Sequence, residues 1–113
     1  MNKFKIFSLA LVASATAATA QDINEAKKAI DAEQFDKAKT LLKSIIKSKP
    51  SDGEANFVLG NVYLNQSVVD SAKIYYNNGL QASDKKNLSY IGLGQLDLDA
   101  KNSAAAQANF TLA

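Results

Sequence analysis

Arginine, histidine, cysteine and tryptophan are all missing from the 113 residues, and proline occurs once. Without Cys or His the soft and imidazole metal ligands are gone, and with them every Cys- or His-based nucleophile, base or triad. No disulfide and no Cys-anchored lipid can form, so thiol usage says nothing of the redox compartment. Without Arg, the bidentate fork that grips phosphate is lacking, and all 13 basic residues are Lys. The formal charge of +2 includes Lys3 and Lys5, which lie in a segment expected to be removed. With those two gone, 11 Lys face 11 Asp and Glu. A chain so nearly neutral, with no basic stripe, is a poor partner for nucleic acid or anionic lipid. No cofactor, metal site or catalytic residue is expected, and the length allows one domain at most.

What is present begins with residues 1–20, MNKFKIFSLALVASATAATA. Lys3 and Lys5 open it, an apolar run follows from Ile6 to Ala13, and small residues end at Ala18-Thr19-Ala20. This three-part order predicts a secretory signal peptide cut between Ala20 and Gln21. Its apolar run is well short of the ~20 residues that span a bilayer, so no stable membrane insertion is expected after cleavage. The mature chain would then act in the periplasm or outside the cell.

Residues 21–113 are rich in Ala, Leu, Ile and Lys, a composition that favours helix. Sliding the chain against itself aligns several positions at one offset, 34 residues. Ala38, Ala72 and Ala106 coincide, as do Leu42, Tyr76 and Phe110, and Leu59-Gly60 matches Leu93-Gly94. Agreement at a single offset is the signature of a structural repeat. Each unit reads as two helices. The spacing predicts helices over about 23–32 and 35–49, 52–66 and 68–82, then 86–99 and 103 onward. Ser51 with Glu54 predicts a capping box, as does Asp22 with Glu25; Ser67 and Asp70 are expected to open the fourth helix, and Pro50 blocks extension of the second. The boundaries are 21–50 for the first pair, 51–84 for the second, and 85–113 for a truncated third.

A 34-residue helix–turn–helix period resembles the tetratricopeptide repeat. The residues that carry the resemblance are Leu59-Gly60, Tyr63, Val69, Ala72, Tyr76 and Gly79. Phe35, Ala38, Leu42, Ile45 and Pro50 carry it in the unit before, and Tyr90, Leu93-Gly94, Ala106, Phe110 and Ala113 in the unit after. Asp97 departs from the pattern, standing where Tyr63 stands one unit earlier, and Asp84 replaces the Pro seen at Pro50. The resemblance implies an all-α fold, a right-handed superhelical α-solenoid of antiparallel helix pairs with about two and a half to three repeats. Ala38, Gly60, Ala72, Gly94 and Ala106 are the expected small residues at helix crossings.

In such an array the first helices line the concave side. A second stripe on them, large apolar, polar, large apolar, recurs as Ile23, Lys27, Ile30, then Phe57, Asn61, Leu64, then Ile91, Gln95, Leu98. With Asp31, Asn65 and Asp99 it is a candidate peptide groove. The competing reading makes the same residues plain core. Some cytoplasmic members of the family grip a C-terminal carboxylate with Lys, Asn and Arg; the aligned region here offers Ile23, Val58, Leu88 and Gly92, and there is no Arg, so that clamp is not implied. The lysines from Lys37 to Lys49 read as a solvated outer face. Tyr63, Tyr75, Tyr76 and Phe110 read as packing.

The functional expectation is a non-enzymatic protein–protein interaction scaffold of the cell envelope, binding a protein or peptide. The alternatives are a glycan or small-molecule binding module, or the N-terminal repeat segment of a larger envelope protein whose activity lies beyond Ala113. The third unit ends inside its second helix, so self-association through that open repeat is a further expectation.

Overall fold

The computed structural model describes residues 23–82 and 84–113. The expected signal peptide, its cleavage point and the Asp22 cap lie outside the described residues. Among those described, six helices and no strand are found. They are α1 (residues 23–31), α2 (Phe35–Ser48), α3 (Gly53–Asn65), α4 (Val69–Leu80), α5 (Lys86–Asp99) and α6 (Ser103–Leu112). Each helix falls on a predicted segment, with ends trimmed by a residue or two as fraying termini allow.

Burial follows from position. Helix α2 buries one stripe, Ala38, Leu42 and Ile45, spaced as one face of a helix. Helix α3 packs against α2, α4 and α5, and is accordingly buried on most sides through Ala55, Asn56, Val58, Leu59, Gly60 and Val62. A first core joins α1, α2 and α3 through Ala26, Ala29, Ala38, Leu42, Val58 and Leu59; a second forms around Ala72, Tyr76 and Leu96. Phe57 and Tyr63 touch both cores and tie them together.

The 34-residue step is visible in the backbone. Glu33, Ser67 and Lys101 all have left-handed φ, at 58°, 61° and 62°. Around each, the same two bonds close the preceding helix. The amide of Ser67 donates to Leu64 O (2.9 Å) and that of Val68 to Tyr63 O (2.9 Å). Glu33 and Gln34 repeat the pair on Ile30 and Ala29, and Lys101 and Asn102 repeat it on Leu98 and Asp97. This is the Schellman motif, which satisfies the last carbonyls of a helix.

Two capping assignments need correction. The cap of α3 is Asp52, whose Oδ1 accepts from the Ala55 amide at 2.9 Å. Ser51 makes no such bond, and Glu54 reaches two lysines instead, because opposite charges in reach outcompete the neutral amide. Ser67 does not open α4; it is the left-handed residue that closes α3, and α4 begins after Val68 with no side-chain cap.

Candidate functional site

The expected crossing residues are buried: Ala38 and Ala72 fully, Ala106 nearly so. The two glycines among the expected crossing residues face aromatic rings. A methyl group added at Gly60 would lie 2.5 Å from the ring of Tyr76, and one added at Gly94 would lie 2.6 Å from the ring of Phe110. The glycines therefore make room for an aromatic ring rather than for a facing alanine. Tyr76 is gripped from both sides, since a methyl at Gly92 of α5 would also meet its ring at 2.5 Å. One unit earlier the corresponding residues are Leu42 and Val58, both in the first core. A larger ring is thus matched by a smaller partner, which keeps the summed volume near constant.

The Tyr76 side chain is buried but its hydroxyl reaches the candidate groove, donating to Asn61 Oδ1 at 2.5 Å. Burial, then the charge of Asp99, pushes this phenol up to about 12. It therefore stays a protonated donor throughout the physiological range. That bond fixes the Asn61 amide and leaves its Nδ2 donor pair for another acceptor. Phe57 packs on Tyr76 with ring centroids 6.0 Å apart. On α5, Gln95 Nε2 donates to Asp99 Oδ1 at 3.0 Å.

The groove candidates have unequal surroundings. Ile23, Ile30, Phe57 and Leu64 are half-buried against the cores. Ile91 and Leu98 are open, 42% and 45% exposed. Asn61 is half-buried; Asp31, Asn65, Gln95 and Asp99 are exposed. Lys27 is exposed but engaged. Its Nζ lies 2.5 Å from Glu54 Oε1, while Lys85 Nζ lies 2.6 Å from Glu54 Oε2. The Lys27 ammonium, followed by that of Lys85, holds the Glu54 carboxyl below the usual range.

The opposite side of the second unit carries the other aromatics. Tyr63 and Tyr75 stack nearly parallel, centroids 5.6 Å apart, and the ammonium groups of Lys39 and Lys43 stand 5.2 and 5.7 Å from the Tyr63 ring centre. The neighbouring Tyr63 hydroxyl raises Lys43 above the ordinary lysine value. One unit on, the same two positions hold Asp97 and Asn109, joined by a bond of 2.7 Å. The departure at Asp97 is thereby explained: a hydrogen bond replaces a ring stack across the same helix pair.

Two features of the candidate groove were not foreseen. Tyr76 was read as packing only, though of Leu42, Tyr76 and Phe110 it alone carries a hydroxyl, which was the available signal. The engagement of Lys27 by Glu54 had no signal, because 27 residues separate them. Among the described residues, no group of three or more Asp or Glu is placed to hold a metal ion, and no helix is long and apolar enough to cross a membrane. Among the described residues no enclosed pocket is present, so the candidate groove residues form an open surface. Compared with family models and with curated proteins, the chain matches none.

Proposed function

We propose that the chain is a tetratricopeptide-like array, wound as a right-handed superhelix, whose α1, α3 and α5 line a concave face that binds a peptide or protein. It works as a non-enzymatic scaffold, exported by residues 1–20 and acting in the cell envelope. The observation that carries the reading is the Asn61 amide, oriented by the hydroxyl of Tyr76, a ring on which Phe57 packs, while Ile91 and Leu98 lie exposed on α5. A fixed amide donor among apolar side chains suits an extended peptide, whose backbone carbonyls need donors and whose side chains need apolar contact. The three identical turns at Glu33, Ser67 and Lys101 support the repeat on which it rests.

The test is capture of a protein partner by the full chain from envelope extract, repeated with Ile91→Ser and Leu98→Ser. Both residues are exposed, so the variants should fold as well as the parent. Capture lost in the variants supports the groove. Capture unchanged in them, or thermal stabilisation by sugars with no protein captured, would overturn it. Export is tested separately by the mass of the mature chain, expected to begin at Gln21.

A further inference from the structure

The charges on the groove face are not balanced along its length. Its one cation, Lys27, is held by Glu54, which also takes Lys85. Its anions are without a cation: neither Asp31 nor Asp99 forms an ion pair among the described residues. Lys101, two residues beyond Asp99, makes no ion pair with it either.

The atoms around Asp99 have a consistent character. Gln95 spends its Nε2 donor on Asp99 Oδ1, which leaves its Oε1 as an acceptor. The second oxygen of Asp99 is likewise left without a donor, and its charge is felt by the buried Tyr76 phenol, whose own proton goes to Asn61. Acceptors that lack donors call for a donor-rich guest. Beside them stand the two most open apolar side chains of the face, Ile91 and Leu98, one turn and two turns from Gln95 and each other on the same stripe of α5. A carboxylate next to exposed aliphatic surface suits a side chain with an apolar stem and a cationic head.

We propose that the α5 end of the groove seats a Lys or Arg side chain of the bound peptide, its stem on Ile91 and Leu98 and its charge on Asp99. The inference rests on the peptide-groove reading and adds the partner's chemistry to it: a basic, apolar segment rather than an acidic one. Charge sign decides this, because like charge at Asp99 is repelled while an opposite charge is both attracted and steered. The unit before has Asn65 at the position of Asp99, and the first unit has Asp31 there, but Ile23 and Ile30 on that helix are half-buried, so the α5 end is where an unpaired carboxylate shares a helix with open apolar surface.

The experiment uses the full chain and three fluorescein-labelled synthetic peptides with the same apolar residues, differing at one central position. That position is lysine, norleucine (the same four-carbon stem without the ammonium), or glutamate. The lysine peptide should bind roughly fivefold more tightly than the norleucine peptide at low salt, as for an exposed ion pair, and the glutamate peptide should bind weakest. The preference should fade as salt rises, and Asp99→Asn should erase it, so that the lysine and norleucine peptides then bind alike. Asp99 is exposed and Asn keeps an acceptor for Gln95, so this variant should melt like the parent. If norleucine binds as tightly as lysine, or if Asp99→Asn keeps the preference, the cation seat is overturned and the groove stands. If no peptide binds, or if Ile91→Ser with Leu98→Ser leaves all binding unchanged, the groove reading falls as well.

Discussion

Tyr76 is the residue on which the second core closes. It is fully buried, flanked by glycines of α3 and α5, and still delivers its hydroxyl to Asn61 of the candidate groove. Gly60→Ala and Gly92→Ala would each drive a methyl into a ring that has nowhere to go, at about 1–3 kcal/mol. Gly94→Ala should cost less, although its methyl would meet Phe110 at a similar distance, because Phe110 is 39% exposed and can swing outward. Thermal melts of the three variants check this; equal losses at Gly60 and Gly94 would contradict it. The sequence made Gly60 and Gly94 legible through their 34-residue spacing. It hid Gly92, because the matching position one unit earlier is Val58, and only the swap of Leu42 for Tyr76 explains the difference. The groove stripe was legible as a pattern, but which of its members were open was not. Phe57 and Ile91 occupy the same register, yet Phe57 is drawn onto two cores and Ile91 onto neither.

At the level of helices and turns, three connections share one geometry with three unrelated residues. Glu, Ser and Lys at positions 33, 67 and 101 all take a left-handed φ that costs an L-residue about 1–2 kcal/mol. Glycine is the usual occupant, so a search for Gly or Asn past each helix end finds nothing here. The repeat of the turn is written in the offset, not in the residue type. Ser67→Gly should therefore raise stability by about 0.5–1 kcal/mol after the extra freedom of the unfolded chain is allowed for. Chemical denaturation reads it, and a fall in stability would show that the turn is not under strain. Glu54 acts on the same scale, tying α1 and the connection before α5 to the start of α3. Its carboxyl titrates below 4.5 in the folded chain, so its contribution is present above pH 4.5 and is lost as the pH falls through the lowered value. Its side chain is 25% exposed, and solvent screening keeps each pair to about 1 kcal/mol or less. Glu54→Gln should lower the melting temperature by a few degrees at pH 7, and the gap to the parent should narrow as the pH falls below 4.5 and close once the lowered value is passed; a gap that persists in strong acid would assign the effect to packing.

Over the whole molecule, one position records the order of the units. Leu42 and Tyr76 are fully buried, while Phe110, the third of the series, stays 39% exposed. Each of the first two is closed over by the helix of the following unit, at Val58 and at Gly92. The same recurrence makes one claim about the molecule testable in solution: a glycine on the first helix of a unit receives the ring of the second, twice, 34 residues apart. The direct measurement is a NOESY spectrum of the isotope-labelled full chain. Contacts should link the Gly60 α-protons to the Tyr76 ring and the Gly94 α-protons to the Phe110 ring, with the glycine signals displaced from their ordinary shifts by the ring currents. Ordinary shifts at both glycines, with neither contact present, would contradict the repeat and everything built on it.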